Sequence, residues 1–330
     1  MPTLLSLLLL ISSLSFAKEK TSNKSNEEVI AIDSVVVYGI QKGPGLWKVS
    51  NGENTLWILG TLSPLPKRMK WESLEVEMVI NDSQAYLVPP SVTADIGFFQ
   101  GLSLATSAIG IKKNPDKKKL KDVVPAEIYA RWLVLKKKYL GRNSKIEKSR
   151  PIFASSKLFD KAITKIGLTH NTKIEKKVRK LAKKSKLKFI RPTIKIDLNE
   201  PKSAIKKFKK TDISDLECFY KTLERLEGDL NIMRLRANAW ARGDVTELKQ
   251  LTFVNQNKSC ISAILSNDIA KDMGIEDIQQ RLRNLWLKNA KDALNTNKST
   301  FAILPISSLL SENSYLKSLA EFGFQIKDPK

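Results

Sequence analysis

Residues 45–63 read GLWKVSNGENTLWILGTLS, two apolar runs around a turn. Leu46-Trp47-Lys48-Val49 and Leu56-Trp57-Ile58-Leu59 are two strand-forming runs around Asn51-Gly52. That dipeptide predicts a hairpin, because both residues tolerate the positive φ that a tight turn demands. At the far end of the chain, Thr300 to Leu304 is an apolar strand followed by Pro305-Ile306-Ser307-Ser308-Leu309. A helix over Ser314–Glu321 and a last strand over Phe324–Lys327 then flank Gly323. Strand, helix and strand in this order resemble a βαβ-type unit.

Between these ends the apolar spacing is mostly helical. It predicts helices over Trp71–Ile80 (stripe Leu74, Met78, Val79), residues 94–109, Ala126–Tyr139 and Pro151–Ile166. Lys173–Lys186 is amphipathic, with Ile174, Val178 and Leu181 on one side and a cationic remainder. Asp215–Trp240 reads as one long helix with the stripe Leu223, Leu226, Leu230 and Met233. Ser259–Lys271 and Glu276–Ala293 follow. Further strands are expected at Ile30–Val37, at Ala85–Val88 before Pro89-Pro90, and across Lys188–Leu198 with an interruption at Pro192. The fold class is therefore mixed α/β. One domain over residues 43–327 has a small central sheet from its N- and C-terminal strands and many helices. Trp47, Trp57, Trp240 and Trp286 read as core anchors.

The chain has 330 residues, 57 of them Lys or Arg and 34 Asp or Glu, for a net charge of +23. A hydrophobic share of 42% excludes a disordered chain, which lacks the apolar surface to offset chain entropy. The charge is uneven. Residues 111–210 hold 33 basic and 8 acidic residues, so this segment carries the whole excess. Lys outnumbers Arg by 45 to 12. Lys is a hydrated point charge, whereas Arg is the planar fork suited to bidentate readout. No aromatic residue falls in 171–188, so the most basic stretch has no platform for stacking bases. Nucleic acid is not expected as a partner. Anionic envelope components such as lipid head groups or lipopolysaccharide fit better. The plainer reading is a solvated helix in a lysine-favouring composition.

Leu4 to Phe16 is an almost unbroken apolar run ending in Ser15-Phe16-Ala17, a small-x-small cleavage pattern. Residues 1–17 read as a secretory signal peptide, and residues 18–42 as a flexible lead-in and first strand. No other stretch approaches membrane-spanning length. The expected location is periplasmic or secreted. Two cysteines in such an oxidising space, Cys218 and Cys260, are expected to pair. The alternative is two free buried thiols. There is a single histidine, His170, which excludes zinc fingers and histidine-based metal sites. A Ser-His-Asp triad survives only if His170 is the one histidine required.

Gly45-Leu46-Trp47-Lys48-Val49 with Leu56-Trp57-Ile58-Leu59-Gly60-Thr61-Leu62 resembles the opening of the TraB/GumN family, where a hairpin leads into Gly-Thr-x-His. Phe301-Ala302-Ile303-Leu304 with Ser308-Leu309, and Gly323 before Phe324-Gln325-Ile326, are similar to its closing elements. Arg283-Asn284 with Trp286 resembles a family helix that carries Arg-Asn or Arg-Asp before an aromatic, and Cys218 through Asp244, with Asn238-Ala239-Trp240-Ala241 and Gly243-Asp244, looks like exported bacterial members. The resemblance implies kinship with metal-dependent peptidases, with erythromycin esterases and with ChaN-like haem-uptake proteins. It also implies a site built from a His in the first motif, a Glu after the next strand and a His near the end. Those positions fall at Ser63, Pro89 and Ser308. A catalytic metal needs about three protein ligands, and proline offers none. The resemblance thus implies an exported, catalytically degenerate member with a binding role and neither metal nor cofactor.

Two alternatives stay open. One is a peptidase- or esterase-like hydrolase rebuilt around Ser63 and Ser308, with Arg283 and Asn284 as further pocket candidates. It needs a base such as His170, and no Gly-x-Ser-x-Gly elbow is present. For Arg283 and Asn284 the competing reading is helix packing and capping. The other alternative is an envelope-surface binder acting through the basic segment 111–210.

Overall fold

The structure is a computed structural model that describes residues 43–94, 109–196, 201–210, 215–251, 260, 275 and 277–329. The expected strand Ile30–Val37, the helices over 94–109 and Ser259–Lys271, and the signal peptide lie largely or wholly outside these residues.

Strands β1 (Leu46–Asn51) and β2 (Asn54–Thr61) form the hairpin. Its turn is shifted by one residue from the sequence expectation. Asn51 pairs with Asn54, leaving Gly52 and Glu53 as the turn residues, and only Gly52 needs positive φ (57°). β3 (Leu65–Pro66), α1 (Leu74–Asn81), β4 (Ala85–Leu87) and β5 (Ser91–Ala94) follow. The helical middle holds α2 (Leu120–Val123), α3 (Ala126–Tyr139) and α4 (Pro151–Lys165). Then come β6 (Leu168–Thr169), α5 (Ile174–Lys184), β7 (Lys188–Ile190) and β8 (Thr193–Ile196). The last third holds α6 (Pro201–Lys210), α7 (Leu216–Gly228), α8 (Leu230–Arg242), α9 (Val245–Gln250) and α10 (Ile278–Thr296). It closes with β9 (Ser299–Pro305), α11 (Ile306–Leu310), α12 (Tyr315–Glu321) and β10 (Gln325–Lys327).

Six strands make the central sheet in the order β10-β1-β2-β9-β4-β7. All run parallel except β1. β9 and β10 are thus parallel strands of one sheet, as the βαβ reading expects, but the β1–β2 hairpin sits between them. β2 and β9 are buried almost end to end, as the middle of a covered parallel sheet requires. Gly60 allows a close approach here. A Cβ on it would lie 2.7 Å from the Trp47 ring and 3.1 Å from Ile306. Its carbonyl also accepts a hydrogen bond from Trp240 Nε1 at 2.7 Å.

Two larger cores result. One lies on the sheet and gathers Trp47, Ile58, Trp240, Trp286 and Phe301 with α5's Ile174, Val178 and Ala182. The other lies among α2, α3, α4, α7 and α8, around Trp132, Leu158 and Phe219. Cys218 and Cys260 are bonded beside Ile152, as expected for the pair.

Two helices differ from their sequence reading. α1 starts only at Leu74, where the Glu72 carboxylate accepts from the Ser73 and Leu74 N–H groups. It buries Val76 and Ile80, while Leu74 and Met78 point outward with 62% and 57% exposure. The predicted 215–240 helix is two helices parted at Asp229. Gly228 weakens the helix there, and the Asp229 carboxylate takes hydrogen bonds from Arg225 (3.2 Å) and Arg236 (2.8 Å). The apolar stripe survives the break, because Leu223, Leu226 and Met233 are buried together.

Candidate functional site

Parallel strands end side by side at one rim of the sheet. In register, Thr61 of β2 lies beside Pro305 of β9, and Leu87 of β4 beside Ala302. Ser63, Pro89 and Ser308 follow these three strand ends. Ligands of open α/β sheets collect outside the carboxyl ends of strands, so the three positions occupy the expected rim. Pro89 is half-buried in the β4–β5 connection, and Ser308 is half-buried in α11. Pro89 has no side-chain donor, and the neutral hydroxyl of Ser308 is a poor ligand for a transition metal. Among the described residues, no three His, Cys, Asp or Glu side chains converge.

Ser63 has a partner that sequence reading left open. The chain turns through a cis Ser63–Pro64 bond into β3, which pairs antiparallel with β6, Leu65 opposite Thr169. The pairing brings the chain's only histidine to the serine. Ser63 Oγ lies 3.0 Å from His170 Nδ1. On the other side of the ring, His170 Nε2 is 3.8 Å from Asp160 Oδ1, on α4. The tautomer with its hydrogen on Nε2 suits both contacts: the hydroxyl donates to Nδ1, and Nε2–H faces the carboxylate. The Phe159 ring lies 5.8 Å from the imidazole. Burial pulls the His170 pKa below the ordinary 6.5, Asp160 opposes this, and Arg225 adds to the lowering. The ring is therefore neutral at pH 7. His170 and Asp160 keep 49% and 58% of their side chains exposed, so the group is open to solvent.

The remaining candidates have other partners. Arg283, on α10, donates to the Ser314 carbonyl (2.9 Å) and Ser318 Oγ (2.8 Å) and lies over the Tyr315 ring at 4.6 Å. It ties α10 to α12. Asn284 is exposed and accepts from Gln280 Nε2 at 2.8 Å within its own helix. Among the described residues, no hydrogen bond joins Ser63 to Ser308. Asp160 was missed by sequence reading, and the only signal for the group was the rarity of histidine.

A second feature is the outer face of α5. Ile174, Val178 and Ala182 are buried, and the solvent side carries Lys176, Arg179, Lys180 and Lys183, all exposed, with Arg179 on the flank towards Tyr86. These lie three and four residues apart, so four like-charged pairs neighbour one another. Among the described residues, none of the four has a carboxylate within ion-pair distance. Lys177, at the edge of this face, donates instead to Ser73 Oγ (2.5 Å), pairs with Glu77 (3.5 Å) and lies over Trp71.

Fold and site together define a mixed α/β protein whose motif-bearing loops leave the carboxyl rim of a largely parallel sheet. No curated protein and no solved structure gives a match. The chain belongs to the TraB/PrgY/gumN family, whose model matches residues 45–328.

Proposed function

We propose that this protein is an exported envelope member of its family that works by holding an anionic surface, not by metal chemistry. One observation carries the reading: the outer face of α5 presents Lys176, Lys180 and Lys183, exposed and, among the described residues, with no carboxylate within ion-pair distance. Like charges so spaced repel, at about 0.2–0.5 kcal/mol per pair. An anionic partner relieves that repulsion. The surrounding segment 111–210 adds to it, with 33 basic residues against 8 acidic. Exposed lysines near a charged bilayer contribute about 1 kcal/mol each. No exposed aromatic residue lies on α5, so adsorption without insertion is the mode that fits.

Two further features support the reading. Ser63, Pro89 and Ser308 stand where the family pattern implies metal ligands. The apolar run 4–16 fits export, and the Cys218–Cys260 bond suits an oxidising compartment. The test is co-sedimentation with vesicles of phosphatidylglycerol and of phosphatidylcholine over a salt series. Binding is expected on the anionic vesicles alone and falls steeply with salt. Changing Lys176, Lys180 and Lys183 together to Ala weakens it by about 3 kcal/mol, roughly a hundredfold. A flat salt response, or equal binding to both vesicles, overturns the reading.

A further inference from the structure

The geometry points to a metal-free acyl-transfer site at Ser63, His170 and Asp160, which we propose as a second activity of this chain. It does not rest on the surface-binding reading, since α5's outer face takes no part in it. A serine hydroxyl is a weak nucleophile until a base takes its proton. The one imidazole in the sequence, 107 residues away along the chain, is held 3.0 Å from the hydroxyl by the β3–β6 pairing. Neutral at pH 7, it has a lone pair for that proton. Asp160 faces the far nitrogen at 3.8 Å, beyond a direct hydrogen bond. It therefore acts as a positioning residue that favours the imidazolium once formed.

The step balances as an ordinary acyl transfer. Ser63 Oγ bonds to the carbonyl carbon of an ester while its proton passes to His170 Nδ1. The carbon–oxygen bond to the alcohol breaks, and the alkoxide leaves with the proton from His170. Water then attacks the acyl-serine by the same route and frees Ser63. The structure also sets the substrate class. The residue after Ser63 is Pro64, which has no N–H, so the backbone donor that often follows a nucleophile is missing here. Each such donor is worth about 10²–10³ in rate. The site also stands open to water. It therefore suits small esters with good leaving groups, not amides, whose poorer leaving group demands more stabilisation.

The experiment uses the mature chain with an alkyl fluorophosphonate, which bonds to an activated serine with loss of fluoride. Because the chain is rich in lysine, the product is located by peptide mass spectrometry. Label is expected at Ser63, and Ser63→Ala removes it. Both side chains are exposed at the surface, and unchanged circular dichroism checks that the variants fold. In hydrolysis of p-nitrophenyl acetate, His170→Ala slows acylation at Ser63 about a hundredfold. Added imidazole restores part of the rate. Asp160→Asn slows it less, by about threefold to tenfold, given its exposure. The rate of the unaltered protein rises with pH through an apparent pKa below 6.5. No label at Ser63, or label and rate unchanged in His170→Ala, overturns the proposal.

Discussion

The sheet core and the basic helix α5 sit in one molecule under opposite physical rules. In the core, Trp47, Trp240 and Trp286 are wholly buried, and Gly60 has room for nothing larger than hydrogen. On α5, Ile174, Val178 and Ala182, with Leu181 partly buried beside them, anchor the helix, and the outer face carries like charges side by side. The first region holds the fold and tolerates little. The second weakens the fold slightly and keeps its charges, which is what a surface kept for a partner would do.

Substitutions in the core and on α5 are expected to act in opposite directions. Trp240→Ala removes a buried ring, its hydrogen bond to the Gly60 carbonyl and its edge contact with Trp71, whose centroid is 6.1 Å away. A loss of about 3–5 kcal/mol in unfolding free energy, measured by urea titration, is expected. Reduction of Cys218–Cys260, which spans 42 residues, is expected to cost about 3–4 kcal/mol by the loop-entropy argument. Thermal unfolding with and without reductant measures it. At the other extreme, joint replacement of Lys176, Lys180 and Lys183 by Ala should raise stability by about 0.5–1 kcal/mol at low salt. A loss of stability there would mean that these lysines serve the fold, and the contrast between the two regions would fail.

The same contrast explains what could be read from sequence. The hairpin, β9 and α3 (Ala126–Tyr139) were legible, because strong turn residues, apolar runs and a leading proline act locally. The βαβ reading of the chain's end found two parallel strands but could not foresee a hairpin from the other end between them. The face of α1 was misread because Leu74 and Met78 fit helical spacing as well as Val76 and Ile80 do. The break at Asp229 was missed because its local signal, Gly228, weakens a helix without ending it, and the Asp229 pairs with Arg225 and Arg236 on the two flanking helices leave no mark in the apolar spacing. For the rim, the order of motifs located Ser63, Pro89 and Ser308. The meeting of Ser63 with His170 depends on β3 and β6, which are two residues long each. Strands so short leave no periodicity to read. The competing readings of Arg283 are anion binding and helix packing or capping, and its bonds to the Ser314 carbonyl and Ser318 Oγ join two helices, which is packing.

The proposed function requires that this chain, a member of the TraB/PrgY/gumN family, works without a bound metal. Its most direct test is the metal content of the protein purified without chelator and dialysed, measured by inductively coupled plasma mass spectrometry. Every transition metal is expected far below one per chain, with unfolding unchanged by a chelator. One stoichiometric transition metal, lost together with stability on chelation, would contradict it.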